Sequence, residues 1–250
     1  MKVWAIGDLH LAFGNPEKSM ERLFPSWQGY EERIRQAWDS MVQEEDIVIL
    51  PGDLSWAMRL EEASPDLSFI GKRPGTKVLV KGNHDYWWDT ATKVRKALPQ
   101  GIHIIHNDIF YKEGIAIGGA RLWDSSEYSF SSIINFQENI LKEPKKAPPQ
   151  EEQEKIFERE LLRLETSLRM IPKEASFKIA ITHFPPIGLS LQPTKASSLL
   201  EKYGIHYALF GHLHSIRDDI HSLFGEARGI QYILTSADWL HFTPHCVLEI

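Results

Sequence analysis

Val3-Trp4-Ala5-Ile6-Gly7-Asp8-Leu9-His10 is a short apolar run that ends in an aspartate and a histidine. The pattern recurs along the chain. Ile47-Val48-Ile49-Leu50 runs into Pro51-Gly52-Asp53, and Val78-Leu79-Val80 leads to Gly82-Asn83-His84-Asp85. Ile179-Ala180-Ile181-Thr182 leads to His183, and Tyr207-Ala208-Leu209-Phe210 to Gly211-His212-Leu213-His214. A bounded apolar run rich in β-branched residues reads as a buried strand. A parallel sheet collects the carboxyl ends of its strands along one edge, where open α/β sheets bind their ligands. The reading therefore places aspartates, an asparagine and histidines together, the donor chemistry of a metal site with more than one ion. Asp8-x-His10 or His212-x-His214 alone would be weak, because such pairs arise by chance and a single histidine is more often packed or solvated. Ligand-type residues at every one of these strand ends are hard to explain as surface decoration. Gly7, Gly52, Gly82 and Gly211 serve as turn residues after a strand, and their missing side chain also lets a ligand or phosphate approach the backbone.

Outward from these runs, strands alternate with helices. Tyr30 to Glu45 carries Ile34, Ala37, Trp38, Met41 and Val42 at helical spacing, and Trp87 to Leu98 reads as a second helix closed by Pro99-Gln100-Gly101. Further strands are expected at 102–105, 115–118, 231–234 and 246–250. Arg121 to Pro149, with its serines and the Lys142-Glu143-Pro144-Lys145-Lys146-Ala147-Pro148-Pro149 tract, reads as an exposed loop. From Gln150 to Ile171, Ile156, Phe157, Leu161, Leu164, Leu168 and Ile171 recur every three or four residues. Mixed charge between them favours packing on the chain's own sheet over a membrane surface. No internal repeat or linker is visible. The reading is one α/β domain over 1–250 with a loop-plus-helix insertion around 121–175.

A hydrophobic share of 42% with 25% charged residues is ordinary for a globular protein. A net charge of -6 supplies no basic field, so nucleic acid is not an expected partner. The single cysteine, Cys246, excludes a disulfide framework and is expected to pack in its apolar run. No run approaches the ~20 apolar residues of a membrane span. Met1-Lys2-Val3 enters the first strand without the features of a signal peptide, so the expected location is cytoplasmic.

In their order, Asp8-Leu9-His10, Gly52-Asp53, Gly82-Asn83-His84-Asp85, His183 and Gly211-His212-Leu213-His214 make the chain similar to the calcineurin-like metallophosphoesterase superfamily. The resemblance implies a four-layer α/β/β/α sandwich with two central mixed sheets. It implies that Asp8, His10 and His214 hold one metal, that Asp53 bridges to a second, and that Asn83, His183 and His212 complete the second site. His84 would act on the substrate. Two divalent ions are implied, manganese first, with iron or zinc as alternatives that carboxylate, amide and imidazole donors also suit. The implied reaction is hydrolysis of a phosphomonoester or phosphodiester by in-line attack of a metal-bridging hydroxide. The alternative is a non-catalytic metal-binding scaffold of the same fold. Gly52-Asp53-Leu54-Ser55-Trp56-Ala57-Met58 lacks the acid that often follows the second block, so the resemblance does not extend to the protein-phosphatase branch.

His84 is expected to give a proton to the leaving oxygen, with Asp85 either orienting its imidazole or capping a helix ahead of Trp87. Among residues near strand ends, Arg59 and Arg121 are the expected contacts to a small phosphorylated substrate, because a guanidinium grips phosphate bidentately. Trp56, Tyr86, Trp87, Trp88 and Trp123 could stack on an organic group, though packing is the simpler role for each. His103, His106, His206, His221, His241 and His245 show no motif spacing and read as structural or solvated. Oligomeric state is not readable from this sequence.

Overall fold

A computed structural model describes residues 1–135 and 149–250. The expected strands form, and they lie in the two mixed sheets that the resemblance implies. In the first, β1 (Lys2–Ala5), β2 (Ile47–Leu50), β3 (Thr76–Leu79) and β4 (Ile102–Ile104) run parallel, with β11 (His245–Glu249) antiparallel beside β1. The second sheet takes up the chain at β5 (Ile109–Lys112), which forms an antiparallel pair with β6 (Ile115–Ala120). Beyond β6 come β7 (Phe177–Thr182), β8 (Tyr207–Phe210) and β10 (Ile230–Leu234), all parallel, and β9 (Gly225–Ala227) closes the far edge antiparallel to β10.

Strand periodicity builds the layers, since successive side chains point to opposite faces. Val3, Ala5, Ile47, Ile49, Val78 and Val80 face Ile115, Ile117, Ile179, Ile181 and Leu209 of the other sheet and form a dry central layer. The alternate residues Trp4, Val48, Leu50 and Leu79 turn outward against α1 (Tyr30–Met41), α2 (Ser64–Gly71) and α3 (Ala91–Ala97), through Ile34, Trp38, Leu67, Ile70 and Val94. On the opposite side Ala116, Ala180, Ala208 and Phe210 pack on α4 (Gln150–Leu168) and α5 (Lys195–Lys202), through Phe157, Leu161, Leu164, Leu168, Ala196 and Leu200. The result is helix, sheet, sheet, helix. Each fully buried aliphatic side chain contributes about 1.5–3 kcal/mol, which is why strands apolar on both faces are trapped between layers.

Several boundaries move. The first helix stops at Met41, because Val42 leaves helical geometry and is buried against the layer. The second starts only at Ala91, with Thr90 as its N-cap; Trp87 and Trp88 lie buried in the preceding turn, where packing overrides helical spacing. The elements β5, β9, α2 and α5 were not anticipated; the strands among them are short edge pieces with partly exposed patterns. Cys246 is exposed on the edge strand β11, contrary to the expected packing, because a register irregularity opposite Val3 and Trp4 breaks the alternation between it and the buried Leu248. The basic, proline-containing tract at 142–148 lies outside the described residues. No helix among the described residues is long and apolar enough to cross a membrane.

The sheets are also tied at one end. Gly7, just after β1, bridges to Ser236 beyond β10, and its N–H donates to the Thr235 carbonyl at 2.7 Å. The turns leaving β1, β2, β3, β7 and β8 converge there.

Candidate metal centre

The turns after β1 and β2 are zipped together by backbone hydrogen bonds. Asp8 N–H donates to Gly52 O at 2.9 Å, His10 N–H to Asp53 O at 3.0 Å, and Leu11 N–H to Leu54 O at 2.9 Å. This pairing holds Asp8, His10 and Asp53 at φ of 54°, 45° and 52°, and His212 in the facing turn sits at 72°. Left-handed backbone in a residue with a side chain costs on the order of 1–3 kcal/mol and persists where the surroundings over-determine it. Its effect here is to turn carboxylates and imidazoles inward.

Asp8 and Asp53 lie at the centre, 0% and 2% exposed. The Asp8 Oδ1 atom is 3.4 Å from His214 Nε2 and 3.8 Å from His183 Nδ1. Asp53 Oδ2 is 3.8 Å from His10 Nε2 and 3.4 Å from His183 Nε2. Among the described residues two groups capable of holding an ion emerge, Asp8 with His10 and His214, and Asp8 with Asp53 and His183. Asp53 reaches towards histidines of both groups. Asn83 Oδ1 meets His183 Nε2 at 2.5 Å and His212 Nδ1 at 3.1 Å, so His212 joins the cluster through the amide.

The donor arrangement fits cations. His183 Nδ1 lies 2.9 Å from the Pro51 carbonyl, which can only accept. With Nδ1 donating there, Nε2 is turned towards the Asn83 oxygen, where the two atoms can serve one cation. The His10 and His214 Nε2 atoms face each other at 3.1 Å. Electrostatics point the same way. Burial lowers the His10 and His212 imidazoles well below their ordinary range, and neighbouring histidines lower them further. Burial pushes the Asp53 carboxyl up to about 7, against the pull of His183 and helped by Asp85 and Asp8. Carboxylate, imidazole and amide donors without thiolate suit ions such as Mn²⁺, Fe²⁺ or Zn²⁺.

Close approach explains two glycines. A Cβ on Gly82 would stand 2.0 Å from Asp53 Oδ1, and one on Gly211 would stand 2.1 Å from Asp8 Oδ2. Either carboxylate would have to leave its place.

His84 belongs to neither ion-holding group. It is half-buried at the rim, its backbone N–H donates to Asp53 Oδ1 at 2.8 Å, and its ring packs against Trp56 at 4.5 Å and Tyr86 at 6.0 Å. Trp56 also stacks on His10 at 4.8 Å.

Asp85 departs from both sequence-based readings. Its Oδ2 accepts from the Gly82 and Asp53 N–H groups, and its Oδ1 accepts from Leu54, Ser55 and the Trp87 indole, at 2.7–3.3 Å. The carboxylate braces the 53–55 turn against the 82–85 turn. Helix capping falls to Thr90.

Asp238 was missed. It holds His214 Nδ1 at 2.9 Å and accepts from Ser215 N–H at 2.9 Å, which aims His214 Nε2 at Asp8. Burial alone would lower the His214 pKa; Asp238 and Asp8 outweigh it and hold the ring well above its ordinary value. The signal was legible, because Ile230–Leu234 also ends in a polar turn, Thr235-Ser236-Ala237-Asp238.

Of the two arginines, Arg59 is exposed and its side chain makes no hydrogen bond or ion pair with the described residues. The Arg121 carbonyl accepts from His183 and Phe184 N–H, both at 3.0 Å, while its guanidinium turns to Glu160 at 3.3 Å and lies 4.7 Å from the Trp123 ring.

Comparison with known proteins bears on the whole arrangement. Residues 1–215 match the family model described as calcineurin-like phosphoesterase. Gene 66 proteins of Mycobacterium phages D29 and L5 are each 33% identical, over 85 and 84 residues, which is 33% of this chain. Those matches span 40% and 39% of the phage proteins, well short of their full length. The fold is shared with the phosphopantetheinyl hydrolase PptH of Mycobacterium tuberculosis, with a TM-score of 0.54 and 16% identity over 100% of this chain and 96% of that one. With the family model covering every strand-end motif and the two mixed sheets flanked by helices, this chain belongs to the calcineurin-like phosphoesterase family.

Proposed function

We propose that the protein is a metal-dependent phosphohydrolase that cleaves a phosphomonoester or phosphodiester of a small substrate. The observation that carries this reading is a buried carboxylate pair, Asp8 and Asp53, ringed by imidazoles, with one further histidine, His84, at the rim outside both ion-holding groups. Asp8, His10 and His214 would hold one divalent ion and Asn83, His183 and His212 another, with Asp53 shared; manganese is the first choice. Bound divalent ions supply positive charge for the phosphoryl oxygens and acidity that makes water a nucleophile near neutral pH.

The chain's own residues supply the rest. Asp238 holds the His214 ring so that Nε2 points inward, and Asp85 holds the turn that carries Asp53. Trp56 walls one side of His10 and His84 and excludes water there. The His84 imidazole, half-exposed at the rim, donates a proton to the oxygen of the departing alcohol, a contribution typically worth 10²–10⁴ in rate. Nucleic acid and membrane are not the expected partners, the whole chain acts as one unit, and its place of action is the cytoplasm.

Purified protein loaded with Mn²⁺ should hydrolyse an aryl phosphate or a bis-aryl phosphate. No turnover with any divalent ion would put the non-catalytic scaffold ahead. In His84→Ala, turnover should fall about 10²–10⁴-fold while metal content by elemental analysis stays near that of the parent. Loss of both metals would show His84 to be a ligand.

A further inference from the structure

Beside the metal centre the structure holds a second, strongly cationic recess. A pocket of 430 Å³ opens between the ends of β4 and β6 and the exposed flank of α4. Lys81, Arg121, Arg159 and Arg163 line it, and Glu160 closes its floor. Glu160 is 1% exposed and holds Arg163 at 2.8 Å, Arg121 at 3.3 Å and Arg159 at 3.9 Å. One carboxylate thus gathers three guanidinium groups, and among the described residues two of those charges are left uncompensated.

Lys81 adds a further positive charge. Its ammonium, half-buried at the pocket wall, makes no hydrogen bond or ion pair among the described residues. The Arg121 Nε is buried and without a hydrogen-bond partner. The acid at the rim, Asp89, is already taken by Lys93 at 2.7 Å. In a chain of net charge -6, such a concentration of unanswered cations is the feature of an anion site more than of general solubility. Arginine forks present paired donors that match phosphate geometry.

The recess is adjacent to the proposed reaction site. Lys81 precedes Asn83 by two residues, so their Cα atoms lie no more than about 7 Å apart. The Arg121 carbonyl is hydrogen-bonded to the backbone of His183.

We propose that this pocket binds a second phosphate-class anion carried by the substrate, so that the substrate presents one anionic group to the metal ligands and another to Lys81, Arg121, Arg159 and Arg163. The assignment to substrate rests on the phosphohydrolase reading; the anion site itself does not. It narrows the substrate class to small molecules bearing two separated anionic groups.

Calorimetric titration of inorganic phosphate into the full-length Mn²⁺-loaded protein tests the site. Two saturable events are expected, one at the metal centre and one in the pocket. Lys81→Gln with Arg159→Gln should remove the second event and keep the first. Neither change strips Glu160 of its closest partner, so folding is expected to survive, and Arg163→Lys, which keeps the charge, should weaken the pocket event only several-fold. A single event in the parent protein that the double variant keeps, or two undiminished events in the double variant, overturns the proposal. A protein with no metal-centre event and an intact pocket event would sink the hydrolase reading while leaving the anion site standing.

A kinetic arm separates substrate from free effector. The kcat/KM for a doubly phosphorylated ester should exceed that for an aryl monophosphate at least tenfold, and the double variant should shrink that ratio towards one. Equal kcat/KM values in the parent protein overturn the assignment to substrate in favour of a free anion.

Discussion

His214 shows how one carboxylate decides what a neighbouring imidazole can do. With Asp238 against Nδ1 at 2.9 Å, the ring is fixed in rotation and Nε2 is turned to Asp8 and His10. Partners of this kind are typically worth 10–100-fold in metal affinity. Asp238→Ala should therefore weaken metal binding by that factor, measured by competition with a chelating indicator, with far-ultraviolet circular dichroism unchanged. Unaltered affinity would mean that Asp238 serves only the Ser215 backbone. The ligand-type residues themselves were legible because each sits at a strand end with a motif spacing. Asp238 was not read as one of them, since its strand end carries no histidine and no glycine. What Asp85 does was also hidden, because three of the five partners of its carboxylate, Asp53, Leu54 and Ser55, lie about thirty positions away in sequence.

Among the elements, the turns matter more than the strands. The 82–85 turn and the 53–55 turn are joined through Asp85, whose oxygens serve four backbone N–H groups and one indole N–H. A buried donor that loses its acceptor costs about 1–3 kcal/mol, and rearrangement will recover part of that. Asp85→Ala should lower stability by about 3–5 kcal/mol, read from the denaturant midpoint, and should lower metal content with it because Asp53 rides on the same turn. A change under about 1 kcal/mol would return Asp85 to the role of orienting His84. The helix α4 illustrates the opposite case, a segment whose spacing of Phe157, Leu161, Leu164 and Leu168 predicted both its helical state and its packing on a sheet.

At the scale of the molecule, the centre draws on both sheets. Asp8, His10, Asp53 and Asn83 follow strands of the first sheet, and His183, His212 and His214 follow strands of the second. Ions held by such a set would join the two halves of the sandwich. A ligand present at a thousand times its dissociation constant stabilises by about 4 kcal/mol. Chelation should accordingly lower the thermal midpoint by several degrees, with re-addition of Mn²⁺ restoring it, followed by scanning calorimetry. An unchanged midpoint would argue that no ion bridges the sheets. Local sequence was enough for the central strands, the longer helices and the strand-end polar residues, because apolar periodicity and turn chemistry act within a few positions. Which strand joins which sheet, the bracing by Asp85, the aim of His214 and the gathering of Lys81, Arg121, Arg159 and Arg163 depended on the tertiary structure. Those contacts join residues far apart in the chain, and only the burial of both strand faces brings them within bonding distance.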